Sequence, residues 1–436
     1  VENRGSPPTR SADPGTRADP PDVLARYAEL DRRLVAAVKG IKLLASVSWP
    51  MRVQRDFLAD WRAGRARLPR VEYPRADLSR AREELEDIFL AADPAHPLGD
   101  YLRRTAQSWR IATELLEALG TPAVTEHSIR LFGRPGDRLP GGHVSNLDAA
   151  RHFIELADEL NREIVADEAD YCIPADVLRE ELQQRIGAFF SHHRIVVEVD
   201  ANLIAKAAAG PTRIRLRSAT CFSEYDKQQL LEHEAFVHTL TALNGREQPN
   251  FGSLALNSPR VTATQEGLAT FAELMSGSID IGRMKRISLR ILAIHMAMHG
   301  ADFVEVFRFF LDSGQTETDS FTSAMRVFRG APLTGGSAFT KDTVYLHGLL
   351  SVHTFFRWAL KNQKLKLCRH LFAGKMALHD VLALEPYFDS GFLAAPLYLP
   401  PWLQRANGLA GMLAFSLFAN RIRLDRVEAE DLVLGV

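Results

Sequence analysis

Apolar residues recur at three- and four-residue intervals over most of the chain, the period of helices that bury one face. Leu24, Tyr27, Leu30 and Leu34 mark one such face and Leu85, Ile88 and Phe89 another, so the stretch from Pro21 to about Ala118 reads as mainly helical. Helical patterns return over 147–164 and 174–190. Period two places alternate side chains on opposite faces of a strand, and it occurs near 194–200 and 212–218. There Arg213, Arg215 and Arg217 alternate with Ile214 and Leu216, which reads as a solvated or substrate-facing edge. Ser128–Phe132 reads as a further short strand ahead of the Gly133-Arg134-Pro135-Gly136 turn. Helices dominate to the end, broken at Pro396, Pro400 and Pro401.

The predicted fold class is α+β, helix-rich, with a small β-sheet beside a two-helix site. Residues 1–22 hold five prolines and little to pack, and are expected to be a disordered tail. Residues 23–190 are expected to form a mainly helical N-terminal lobe, packed as one unit with a core over 191–436. No internal repeat is present.

With 436 residues and 46% hydrophobic content the chain can bury a large core. A formal charge of -1 gives no electrostatic case for nucleic acid. No segment reads as a signal peptide or membrane span. The apolar stretch 408–419 is shorter than the roughly 20 residues a bilayer requires, and reads as a buried helix. Cys172, Cys221 and Cys368 are far apart and form no Cys-x-x-Cys, so neither a disulfide framework nor a thiolate metal site is expected. A reducing, cytoplasmic setting fits that usage.

Candidate chemistry concentrates in two segments. His233-Glu234-Ala235-Phe236-Val237-His238 supplies two imidazoles and a carboxylate, and Thr264-Gln265-Glu266-Gly267-Leu268-Ala269 supplies another carboxylate. A catalytic zinc takes three ligands from His and Glu, while a further carboxylate handles the proton of its water. The histidines are five apart, which on a regular α-helix rotates the second about 140° from the first. A π-type turn, closed by i to i+5 bonds, restores a shared face. A π-bulge or break is therefore predicted between Glu234 and Thr239.

Ser223 and Asp226 read as a capping box opening this helix, and Asn244-Gly245 as its end. A second helix is predicted after Pro259, capped near Thr262, burying Leu268, Phe271, Leu274 and Met275 and carrying Glu266 in its first turn.

The pair His-Glu-x-x-x-His and Gln-Glu-Gly-Leu-Ala, in this order, resembles the tyrosine carboxypeptidase-like metallopeptidase family. That family includes the microtubule-associated tyrosine carboxypeptidases and bacterial proteins named for the second motif. The likeness extends through Arg326-Val327-Phe328-Arg329-Gly330 and Phe339-Thr340-Lys341-Asp342-Thr343-Val344-Tyr345-Leu346-His347-Gly348, and covers most of the chain from about residue 30. It implies zinc bound by His233, His238 and Glu266, with Glu234 as general base for attack of zinc-bound water on a peptide bond. The substrate it implies is a peptide or protein C-terminus, with tyrosine or another aromatic residue leaving.

A carboxypeptidase also needs cations for the free α-carboxylate. Arg326, Arg329 and Lys341 are candidates, with Tyr345 donating to the oxyanion or substrate; ordinary surface charge, or partnership with the metal's own ligands, is the alternative. His295 and His299, four apart, suit one helical face, and Asp302 or Glu305 could complete a second metal site, but a half-buried structural helix explains them better. His192 and His193 are a poor chelating pair, and His347 and His353 fit core or supporting roles. Two other classes keep this inventory: a zinc hydrolase of a non-peptide amide, and a catalytically silent binding protein of the same fold.

Overall fold

Pro21 occupies the first turn of a helix, where its missing N–H costs nothing. The helix Pro21–Val38 buries Tyr27, Leu30 and Leu34, and Ser79–Ala91 buries Leu85 and Ile88, as the periodicity required. These elements are taken from a computed structural model, which describes residues 19–164, 172–203 and 206–421. The expected tail therefore lies outside the described residues up to position 18, and helix begins at Pro21 inside its predicted range. Helices dominate, with small sheets, in a helix-rich α+β fold.

Among the described residues, four hydrophobic clusters make up the interior. The largest joins the helix Ala175–Phe189 and a small sheet to the segments around His233 and Glu266. In that sheet Arg213–Arg217 is central, parallel to Val196–Asp200 and antiparallel to Ala207–Ala209. Ile214 and Leu216 face the core, while Arg213 and Arg215 pair outward with Glu198 and Asp200 at 3.3 and 3.1 Å. The arginine strand is thus a solvated face of the middle strand and not an edge. Thr239 Oγ1 donates to Gly210 O at 3.0 Å, which fastens the sheet to the candidate site.

Several expectations are corrected. Residues 123–132 form a helix, because Val124, Ser128 and Phe132, spaced by four, share one buried face. Ser128 there accepts from Thr340 N at 2.7 Å. The helix Leu240–Arg246 ends near the expected Asn244-Gly245, but Gly245 is still helical and is not its left-handed cap. A Cβ on it would lie 2.3 Å from Leu254 O, so it permits close packing. The helix Ala406–Ala419 buries Leu409 and Leu413 but leaves Phe415 75% and Phe418 66% exposed. Cys172 and Cys221 are joined in a disulfide with Cα atoms 5.1 Å apart, beside the two-residue ladder of Ile173–Pro174 with Cys221–Phe222. Sequence separation had argued against that pairing, but folding brings the two strands together. Finally, the helical stretch Pro21–Arg62 contains a window long and apolar enough to cross a membrane by length and composition alone, although its Tyr27, Leu30 and Leu34 are core residues.

Candidate metal centre

The capping box forms as predicted, with Asp226 N donating to Ser223 Oγ at 3.1 Å and Ser223 N to Asp226 Oδ2 at 2.9 Å. The helix runs Glu224–Leu230, becomes π-helical over Leu231–Thr239, then returns to α-helix. The wider turn places His233 and His238 on one face, their ring centroids 4.8 Å apart. The five-residue spacing thus produces the predicted backbone irregularity.

Glu266 comes from the helix Thr262–Met275, which follows a 3₁₀ turn at Pro259–Val261 and has no side-chain cap from Thr262. Glu266 is its fifth residue, just past the first turn. Leu268 and Phe271 are buried, whereas Leu274 is exposed and Glu273 takes the fully buried position. Gly267 has a tertiary reason. This helix crosses Val344–Lys361 so closely that a Cβ on Gly267 would lie 2.4 Å from the backbone of Gly348, and one on Gly348 2.2 Å from Ala263 O. The crossing sets Lys341 against Glu266, Nζ to Oε1 at 2.9 Å.

His233, His238 and Glu266 offer ligand atoms that all lie within 4.8 Å of one another, the one such group of three among the described residues. Glu266 Oε2 is 3.5 Å from Nε2 of each histidine, and is buried with no hydrogen-bond partner among the described residues. Two imidazole nitrogens around an unsatisfied carboxylate oxygen fit a divalent cation. Burial opposes charge on both groups, yet the carboxylate stays well below its usual range because Lys341 and the histidines surround it. His233 is lifted to about 10, burial being outweighed by Glu266 and Glu273.

Glu273 escaped the sequence reading. His233 Nδ1 meets its Oε1 at 2.7 Å, and Arg283 donates to both its oxygens at 3.1 and 3.2 Å. Burial would raise Glu273, but Arg283 and His233 hold it at about 2. A carboxylate on the free nitrogen of a ligating histidine fixes its tautomer and leaves Nε2 for the metal. The available signal was that Glu273 lies seven residues, two turns, after Glu266 on the same helix face.

The Arg-Lys-Tyr group is brought together but largely pairs internally. Arg326 closes its fork on Asp342 at 2.5 and 2.7 Å, and donates to the Tyr345 hydroxyl at 3.2 Å. Arg329 lies beyond the helix end at Phe328, 5.4 Å over the Phe339 ring, with its buried Nε unpartnered among the described residues. Arg290, also unremarked in the sequence, reaches Asp342 only at 3.6 Å and sits 5.9 Å from the Tyr345 ring centroid. Burial and the neighbouring Arg326 push Arg290 and Arg329 each down to about 10. Arg283, Arg326 and Lys341 are thus each matched by a carboxylate, Glu273, Asp342 and Glu266, while Arg290 and Arg329 have none to themselves among the described residues.

The other histidines lie elsewhere. The His295 and His299 ring centroids lie 4.1 Å apart with the planes tilted, while Asp302 and Glu305 form the capping box of Phe303–Asp312, and no third ligand joins the pair among the described residues. His193 bonds Tyr398 and Glu247, and His347 meets Arg138 O at 3.3 Å. His353 packs 6.0 Å from the Phe271 ring.

None of the curated proteins compared with the chain matches it. Residues 55–421, nearly the whole chain, match the family described as microtubule-associated tyrosine carboxypeptidase. With that span and the motifs in place, the chain belongs to the microtubule-associated tyrosine carboxypeptidase family.

Proposed function

We propose that the chain is a zinc-dependent carboxypeptidase that removes a C-terminal residue, tyrosine or another aromatic, from a peptide or protein. The observation that carries this reading is the convergence of His233, His238 and Glu266 with Glu234 in the same π-helical turn. Family membership supports the terminal residue as the cleaved one.

Zinc held by the three ligands would polarise the scissile carbonyl and make water nucleophilic near neutral pH. Glu234, half-buried beside His233, accepts the proton of the attacking water and delivers it to the departing amine. Glu273 and Arg283 orient His233, and Lys341 steadies Glu266. Arg326 is neutralised by Asp342, so the substrate carboxylate falls to the surplus cations Arg290 and Arg329, with the Tyr345 hydroxyl donating beside them. An α-carboxylate is the anion that this surplus lacks.

The test couples metal analysis to mass spectrometry of peptides varied at the C-terminus. Wild type is expected to hold one zinc and release the terminal residue only when its carboxylate is free. Glu234→Gln is expected to keep zinc and lose about 10²- to 10⁴-fold in kcat. Arg290→Met is expected chiefly to raise KM. Cleavage of C-terminally amidated peptides at equal rate refutes the carboxylate site, and full activity in Glu234→Gln refutes the mechanism.

A further inference from the structure

One buried ammonium against Gln265, the residue before Glu266, has no part in the scheme above. Lys375 follows the short helix Lys366–His370, and its backbone N–H is anchored to Leu254 O at 2.7 Å. The residue is 3% exposed, and its side-chain bond among the described residues is a long one, 3.4 Å to Gln265 Oε1. That oxygen also lies 2.9 Å from Thr241 Oγ1, whose single proton is shared with Val237 O at 2.7 Å. Gln265 Nε2, on a side chain 4% exposed, has no hydrogen-bond partner among the described residues.

An ammonium offers three N–H donors, and here one weak bond to a neutral group answers them. Burying a cation this way costs several kcal/mol unless an acceptor compensates. Burial pushes Lys375 down to about 8, and the charges that oppose the shift are those of Glu266 and Glu234. Gln265 adjoins Glu266 in the chain. Underused donors therefore lie at the residue that precedes the metal ligand on its helix, within reach of the charges of Glu266 and Glu234.

We propose that Lys375 is a further catalytic residue, whose ammonium donates to the carbonyl oxygen of the scissile bond as that oxygen becomes negative. The proposal rests on the hydrolase reading above. When the water oxygen adds to the carbonyl carbon, the C=O electron pair moves onto the carbonyl oxygen and a water proton passes to Glu234. When the C–N bond breaks, the carbonyl re-forms and the proton on Glu234 goes to the amine nitrogen. Lys375 stays protonated throughout, and its bond is strongest between the two steps, where it lowers the barrier. Gln265 holds it in place without neutralising it.

The decisive variant is Lys375→Met, which keeps the length and removes the charge. Zinc stoichiometry is expected to stay at the wild-type value, and the melting temperature to hold or rise, because a costly buried charge is gone. For a peptide ending in tyrosine, kcat is expected to fall about 100- to 1000-fold with KM within about threefold. Affinity for a phosphinic analogue of that peptide is expected to fall by a similar factor. Binding of the unreactive peptide in a Glu234→Gln background is expected to change less than about threefold, since only the tetrahedral form carries the extra charge. Lys375→Arg, which keeps the charge, is expected to retain at least about tenfold more activity than Lys375→Met. A Lys375→Met protein that cleaves at the wild-type rate overturns the inference alone. So does one that unfolds, since the ammonium is then structural. A wild-type protein that cleaves no peptide overturns the functional reading together with it.

Discussion

Glu273→Gln alters one atom in the interior and separates metal retention from fold stability. Glu273 Oε1 faces His233 Nδ1 at 2.7 Å and Arg283 Nη2 at 3.1 Å; Oε2 faces Arg283 Nε at 3.2 Å and Gln229 Nε2 at 2.9 Å. The arginine and glutamine atoms can only donate, and His233 must donate from Nδ1 if Nε2 is to ligate, so an amide NH₂ at either oxygen confronts donors. His233 loses the partner that fixes its tautomer, a change that lowers metal affinity about 10- to 100-fold, or about 1.4–2.7 kcal/mol. Arg283 is left without its counter-charge at 14% side-chain exposure, and breaking a buried pair costs about 3–5 kcal/mol. For a chain of 436 residues the unfolding entropy is about 0.9 kcal/mol/K, so the melting temperature should fall by about 3–5 °C. Glu273→Gln/Arg283→Met removes both charges, and should recover most of that fall but not the metal affinity. Zinc competition against a fluorescent chelator, beside thermal unfolding of the metal-free protein, reads both quantities. Zinc affinity within about threefold of wild type in the single variant refutes the orienting role.

Two further outcomes follow from packing and burial elsewhere. Gly267→Ala forces a methyl into the crossing with Gly348, where overpacking costs about 1–3 kcal/mol or more; chemical denaturation should show that loss together with reduced zinc affinity, and unchanged stability refutes the close-approach account. Asp31 is fully buried with one oxygen unpartnered among the described residues, and burial raises it to about 6 in spite of its bonds from Ser253. The folded state therefore binds its proton more tightly than the unfolded chain does, and stability falls as pH rises from about 4 to about 6. Asp31→Asn is expected to raise the melting temperature at pH 8 and leave it nearly unchanged below pH 4; an equal shift at both pH values refutes the assignment.

The sequence by itself determined the local features of this protein. Histidines five apart demanded a π turn, and Leu231–Thr239 supplies it, because spacing within one helix fixes which side chains share a face. The same logic placed the long helices and the inward Ile214 and Leu216. It failed at Ser128–Phe132, where apolar content was read as a strand although the buried residues are spaced by four. It also missed the exposure of Phe415 and Phe418, because an apolar helix buries only the face that finds a neighbour. Tertiary structure alone decided the charge partners. Arg283 reaches Glu273 between successive helices, Arg326 meets Asp342 across a loop, and Lys375 approaches Gln265 across 110 positions. Basic residues look alike in a sequence, and which of them keeps a charge to spare for a substrate depends on the carboxylates that folding sets against the others. Gly267 was legible as part of a motif, but its cause, a backbone from another helix within 2.4 Å of where a Cβ would stand, exists only once the two helices cross.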